Sequence, residues 1–213
     1  VTNCLCVAQQ RANDLSAFQF AEERLEIMQY PEEIFWVLRS ARAYLLEPLD
    51  VVLEIGSAQG GNLCVLSQLC NKNGLLLSIS LGQLPPGEGE PHLPYKPLEL
   101  DVVRPFISPV KLVYIDGDSK SPEVLKSVVD VLNGRSISVL FIDGDHSYDS
   151  TRSDFLTYSK LVSSPGVILF HDIMVNFWGA GTFWGEIKKQ HPYKCCEFSS
   201  HLDNPRGIGL LYI

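Results

Sequence analysis

The tetrapeptide Ile-Asp-Gly-Asp stands twice in this chain, starting at Ile115 and again at Ile142, 27 residues apart. Each copy closes a run of β-formers, "LVYI" in the first case and "VLFI" in the second. Between them "SPEVLKSVVDVLNG" carries helix signals in order: Ser121 as N-cap, Pro122 at the first helical position and Gly134 past the end. Strand, helix and strand in so short a span make one crossover step of a parallel sheet. Both acidic corners are therefore expected on the same sheet edge, at the carboxyl ends of neighbouring strands, where open α/β sheets bind ligands.

The same alternation runs on either side. "YPEEIFWVLRSARAYLLEP" reads as a helix with Pro31 in its first turn and Ile34, Leu38, Ala41 and Leu45 on one face. "DVVLEI" is a strand running into glycines, and "NLCVLSQLC" is a short helix closed by "NKNG". "LLLSISL" is the second strand, followed by a Pro- and Gly-rich loop, "GQLPPGEGEPHLPYKP". "STRSDFLTYSKLV" is a helix stopped by "SSPG", with Asp149 or Ser150 as its N-cap. "GVILFHDI" is the fifth strand, "TFWGEIKKQ" a helix, and "YKCCEF" and "GIGLLYI" a terminal pair of strands. The strands are nearly continuous apolar runs, as in a sheet covered on both faces. The expected fold is a doubly wound, mostly parallel, seven-stranded α/β sheet with an antiparallel C-terminal strand. It spans residues 31–213, behind an N-terminal segment of residues 1–30 that serves as a helical cap or as a contact for a second copy of the chain.

Composition narrows the partners. A net charge of -8 over 213 residues argues against a nucleic-acid backbone, which needs a basic face. No apolar run approaches a membrane span, and "VTNCLCVAQQRAND" shows no signal-peptide pattern. None of the six cysteines forms a C-x-x-C pair, so free thiols and a cytoplasmic setting are expected.

The first strand ends in "LEIGSAQGG", in which Gly56, Gly60 and Gly61 permit a tight turn and Glu54 adds a carboxylate. The spacing is not the dinucleotide fingerprint, and an acid there suits a cationic or amino-bearing ligand. This stretch resembles motif I of class I S-adenosylmethionine-dependent methyltransferases. "FIDGDHSYDSTRSDF" followed by "GVILFHDI" resembles their macrocin-type and rhamnosyl O-methyltransferase/cephalosporin hydroxylase-like subgroups, and the tail "GTFWGEIKK…GIGLLYI" resembles the latter.

The resemblance implies the Rossmann-like methyltransferase fold and a set of roles. Glu54, Gly56, Ser57, Gly60 and Gly61 would hold the methionine part of S-adenosylmethionine, and Asp118 lies in the loop that contacts adenine. Asp143, His171 and Asp172 would complete a site for a divalent metal, Mg²⁺ or Mn²⁺, and His146 would be the catalytic base. One position departs from the pattern: Ser80 stands where the second strand usually ends in an acid for the ribose hydroxyls. The implied function is metal-dependent O-methylation of a hydroxyl on a sugar or small natural product, in a chain that self-associates or acts alone.

Bare chemistry agrees with these residue types. An alcohol is a poor nucleophile until it loses its proton, a divalent cation lowers its pKa, and a histidine can take the proton near neutral pH. Successive strand residues point to opposite faces, so His171 and Asp172 both reach one ion only if the strand has begun to turn. Phe177, Trp178, Phe183 and Trp184 either wall an acceptor site or belong to the core; His92, in the Pro-rich loop, is expected in solvent. Two other functions stay open: a metal-dependent hydrolase, and a non-catalytic cofactor-binding domain with a degraded ribose site.

Overall fold

The structure is a computed structural model; it describes residues 2–25, 27–45, 49–82, 97–175, 179–191, 194–200 and 206–213, with side chains from residue 7 onward. In chain order the elements are α1 (Thr2–Arg24), α2 (Pro31–Leu45), β1 (Leu49–Ile55), α3 (Gly61–Leu66), β2 (Cys70–Ser80), α4 (Leu100–Ile107) and β3 (Lys111–Asp116). They continue with α5 (Pro122–Leu132), β4 (Ile137–Ile142), α6 (Tyr148–Tyr158), β5 (Val162–His171), α7 (Gly179–Gln190), β6 (Cys195–Phe198) and β7 (Ile208–Tyr212). The strands form one sheet in the order β3-β2-β1-β4-β5-β7-β6, parallel except for the antiparallel β7 and its pairing with β6.

This order corrects one expectation. The two acidic corners share an edge, but β3 and β4 are not neighbours: β2 and β1 lie between them. The chain reverses its winding between β1 and β4, which makes the crevice at their carboxyl ends the topological switch point. Register still places the corners at one level, because Ile55 pairs with both Ile79 and Ile142, and Ile79 pairs with Ile115.

Alternation along the strands feeds two cores. Val52, Leu76, Val139, Phe141, Val167 and Leu169 pack under α1 to α4, whereas Val51, Leu53, Leu75, Leu77, Leu140 and Phe170 pack under α5 to α7. Phe183 and Trp184 are buried in the second core, with Trp184 against Phe170 and the backbone of Gly209, so they are core residues. Phe177, Trp178 and His92 lie outside the described residues.

Several boundaries differ from expectation. "NKNG" and "SSPG" lie within β2 and β5, whose first residues extend beyond their apolar runs. The N-cap of α6 is Ser147, which accepts from the Ser150 amide, and not Asp149 or Ser150. α4 follows the Pro-rich loop and contains Pro105 after its first turn, and it buries only Val103 and Ile107.

α1 buries Asp14, Ala17, Phe18 and Ala21 along one stripe, continued by Leu25 beyond its end. Arg42 of α2 pins it, donating to both Asp14 oxygens at 2.6 and 2.8 Å and to the Gln68 carbonyl at 2.8 Å. Such paired, charge-assisted bonds are stronger than single neutral ones. Asp14→Ala should therefore cost about 1.5–3 kcal/mol of stability, measured by urea unfolding, with faster amide exchange concentrated in α1.

Candidate active site

The sheet register assembles the site. Phe141 pairs with Glu54 on one side and Leu169 on the other, so all three point to the face covered by α1 to α4. Two residues further along β4 and β5, Asp143 and His171 emerge on that same face. His171 Nδ1 lies 3.0 Å from Asp143 Oδ1.

Asp172, next in sequence, belongs by alternation on the opposite face. It adopts φ 57, a left-handed conformation uncommon for a residue with a side chain. That turn brings its carboxylate back, with Oδ2 2.9 Å from His171 Nδ1 and 3.2 Å from His146 Nε2. His146 Nε2 is 3.8 Å from Asp143 Oδ1, and the facing atoms of Asp143, His146 and Asp172 lie within 4.8 Å of one another. His171 sits behind the carboxylates, fully buried, while the His146 ring is 31% exposed and forms the open side.

The turn at Asp172 is held from a distance. Ile173 and Met174 donate their amides to the carbonyls of Gly207 and Arg206, ahead of β7. Glu33 of α2, fully buried, accepts from the amides of Ser200 and Gly207 at 3.2 and 3.3 Å. His146 is held by α7, whose Ala180 amide donates to its carbonyl at 3.0 Å.

The glycine corner is built as tightly. Gly56 has φ 87, and a Cβ there would lie 2.1 Å from the Asp143 carbonyl oxygen. Gly60, at φ 96, would drive a Cβ into Leu98 and Val103. Protein atoms thus require both glycines, whatever ligand the turn holds. Gly61 opens α3, and Ser57 Oγ lies 2.8 Å from Ser78 Oγ across the β1–β2 gap. Glu54 lies beneath the turn, fully buried; its Oε1 accepts from Asn62 Nδ2 at 2.5 Å, and its Oε2 has no hydrogen-bond partner.

Ser80 ends β2, nearly buried, directly across from Asp116 on β3. Asp116 Oδ1 accepts from the Gly82 amide at 2.6 Å. Asp118 is exposed and folds its carboxylate onto its own loop, accepting from the Lys120 amide at 2.9 Å. Within the first acidic corner it is Asp116, not Asp118, that stands at the level of Asp143. The two corners are also tied together: Ser119 donates to Asp154 of α6 at 2.6 Å, and Lys120 reaches Ser150, which donates to Asp145.

Charge is concentrated where it can be used. Burial alone would push Asp143 up, but His171 and His146 outweigh it and hold the carboxyl below its usual range. Burial would push His171 down, and the carboxylates of Asp143 and Asp172 reverse that and raise it. His146 is raised in the same way, with Asp143 overcoming its burial.

Sequence reasoning missed two polar residues that position these groups. Gln29, between α1 and α2, donates its Nε2 to Asp143 Oδ2 at 2.6 Å. Asn62 fixes Glu54 from the first turn of α3. A single amide in a loop carries no periodicity, so only the "GGN" following the turn offered a signal.

Burial pushes Glu54 up to about 8, against the lowering from Asn62 and Ser57. Its folded pKa lies above its unfolded value near 4.5, so the folded state holds the extra proton between those pH values. The stability it contributes is complete at low pH and is lost as pH rises towards about 8, by at most about 1.4 kcal/mol per pH unit. Glu54→Gln should remove that part of the decline, seen as a flatter stability profile than the parent's in unfolding measured between pH 5 and 8.

Comparison with known proteins identifies the family and the fold. The sequence profile of a family described as a methyltransferase domain matches residues 53–173. The uncharacterized protein R132 of Acanthamoeba polyphaga mimivirus is 32% identical over 127 residues, which cover 59% of this chain and 52% of that one. The chain therefore spans about half the length of that curated relative. Among solved structures, cofactor-bound Rv0187 from MTB superimposes with a TM-score of 0.60 at 16% identity, covering 96% of this chain and 89% of that one. The O-methyltransferase TomG from Streptomyces achromogenes, in complex with S-adenosylmethionine, gives 0.58 at 12% identity, covering 94% and 89%. MycE from the mycinamycin pathway, in complex with Mg, S-adenosylhomocysteine and mycinamycin VI, gives 0.53 at 17% identity, covering 84% and 48%. With the family profile matching more than half of its length and the β3-β2-β1-β4-β5-β7-β6 sheet beneath it, the chain belongs to the methyltransferase domain family and has the class I S-adenosylmethionine-dependent methyltransferase fold.

Proposed function

We propose that this chain transfers the methyl group of S-adenosylmethionine to a hydroxyl oxygen of a sugar or small natural product, with a divalent cation at the Asp143–Asp172 carboxylates. The observation that carries the reading is the convergence of two carboxylates and an imidazole at the ends of β4 and β5. Asp172 Oδ1 is buried without a hydrogen-bond partner, and hard oxygen donors of this kind suit Mg²⁺ or Mn²⁺. A cation bound there would lower the pKa of the acceptor hydroxyl and fix its direction. In MycE, Mg and S-adenosylhomocysteine are present together.

The chain's own residues supply the rest. Glu54, with its unpartnered Oε2 under the Gly56–Gly61 turn, offers a carboxyl group whose ionised form the positively charged donor would favour. His171, expected as a metal ligand, turns its Nδ1 onto Asp143 and Asp172 and in this reading orients them from behind. His146, on the open side, takes the acceptor's proton as the new C–O bond forms and the C–S bond breaks, leaving a neutral thioether. The adjacent carboxylates stabilise the imidazolium so produced. Ser80 offers one hydroxyl where a carboxylate would bind the ribose diol with two acceptors, which weakens donor binding and makes Ser80→Asp a gain-of-affinity variant. A reducing compartment such as the cytoplasm fits the four described thiols, all free. No described helix is long and apolar enough to cross a membrane.

The base and the metal ligands are separable by experiment. Asp143→Ala should abolish the response of turnover to added metal. His146→Ala should keep Mn²⁺ binding while losing about 10²–10⁴-fold in rate near neutral pH, with a smaller loss at high pH where hydroxide replaces the base. Loss of Mn²⁺ binding in His146→Ala would instead make His146 a third ligand. Gln29→Met keeps the side-chain length and removes the donor to Asp143; Mn²⁺ affinity, read from its paramagnetic resonance signal, should fall about 10–100-fold.

A further inference from the structure

Asp172 faces the site only while the turn that it begins is kept. β5 runs extended to His171, and one more extended residue would send its side chain to the opposite face. The left-handed Asp172 prevents that, in a conformation that persists for such a residue only where its surroundings impose it. Here they do so from three directions. The Val175 amide closes the turn on the Asp172 carbonyl at 3.3 Å. Gly181 of α7 packs so close that a Cβ on it would lie 2.5 Å from the Ile173 carbonyl oxygen. On the remaining side the Ile173 and Met174 amides donate to Gly207 and Arg206, and a Cβ on Gly207, at φ 75, would lie 2.6 Å from Met174 Cγ.

Behind this turn stands a side chain that stability alone would not select. Glu33 is fully buried on α2, with Oε1 shared by the Ser200 and Gly207 amides and Oε2 without a partner. Burying a polar group half satisfied is costly, and an apolar side chain of similar shape would avoid the cost. An apolar side chain could not hold the Arg206–Gly207 peptide. We propose that Glu33 is a positioning residue for the metal site: through that peptide it sets the turn that aims the Asp172 carboxylate. The role rests on the metal-dependent reading above, in which Asp172 is a ligand. The relay is short and continuous. The N–H of the peptide donates to Glu33 Oε1 at 3.3 Å, and the C=O of the same peptide accepts from Met174 at 2.8 Å. A peptide group is planar, so fixing its N–H also fixes its C=O. An acceptor on the N–H also strengthens the carbonyl as an acceptor. Glu33 stands in the first turn of α2, where the aligned helix amides favour an acidic group.

The test uses the full chain with Mn²⁺ as probe, followed by its paramagnetic resonance signal, and calorimetry of S-adenosylhomocysteine as a second readout. Glu33→Met and Glu33→Leu both remove the acceptor but differ in shape, so a folding defect in one leaves the other informative. In each folded variant Mn²⁺ affinity should fall about 10–100-fold, the usual effect of losing a group that orients a metal ligand. Glu33→Gln returns a neutral acceptor oxygen and should bring affinity back to within about threefold of the parent, since a neutral acceptor makes a weaker bond but keeps its direction. S-adenosylhomocysteine affinity should stay within about twofold throughout, as expected for a site held by other residues. A side chain needed only for folding would lower stability in Glu33→Met and leave the Mn²⁺ affinity of the folded protein unchanged, which overturns the proposal. Glu33→Gln binding Mn²⁺ as weakly as Glu33→Met overturns it too, as does an equal loss of S-adenosylhomocysteine affinity. If the parent itself fails to bind Mn²⁺, the metal reading falls and the role of Glu33 falls with it; if the parent binds and the variants match it, only the role of Glu33 falls.

Discussion

The parallel register of β1, β4 and β5 is the constraint on which the site depends. It sets Glu54, Phe141 and Leu169 side by side and carries Asp143 and His171 onto the same face two residues later. The strands can end this close only because Gly56 has no side chain: its α-carbon lies against the backbone of Asp143 and Gly144. The glycine corner and the second acidic corner are therefore one construction. A side chain at Gly56 would push the glycine turn and the Asp143 corner apart together.

Identical tetrapeptides have been given different surroundings. Asp116 and Asp143 occupy the same level of one sheet edge, yet Asp116 is exposed and satisfied by a loop amide, whereas Asp143 is enclosed by two histidines and Gln29. Position in the sheet makes the difference. β3 is the edge strand of the sheet, and β4 lies at the centre, flanked by β1 and β5, with Gln29 of the α1–α2 corner bonded to its Asp143. The same carboxylate is a loop anchor in one place and a charge focus in the other, because desolvation and neighbouring charges decide its behaviour.

Much of this was legible in the residues. Strand cores with continuous apolar runs, the Ser121–Pro122 cap and the glycines after β1 fixed the alternation of elements and the edge that carries the site. The need for a turn at His171–Asp172 was visible from strand alternation, and the left-handed Asp172 meets it. Strand order was not legible, because a crossover to the next strand and a crossover past two strands use the same kind of helix. Residues 1–30 read only as a helical cap or a contact for a second copy, without helix bounds, although Asp14, Ala17, Phe18 and Ala21 repeat at helical spacing, since that stripe is narrow and flanked by polar residues. Gln29 and Asn62 act through single long-range hydrogen bonds, which leave no pattern in sequence.

The buried Glu33 has a consequence for where the working unit begins and ends. Through Ser200 after β6 and Gly207 before β7 it joins α2 to the C-terminal strand pair, and through Gly207 and Arg206 that junction reaches the two residues after Asp172. The latch uses residues from both sides of the stretch shared with the family, and it closes on the turn that sets the direction of the Asp172 carboxylate. The shared stretch is thus a chassis and not a machine: it carries the glycine corner and both aspartates, but the geometry of the second aspartate is written by segments that flank it.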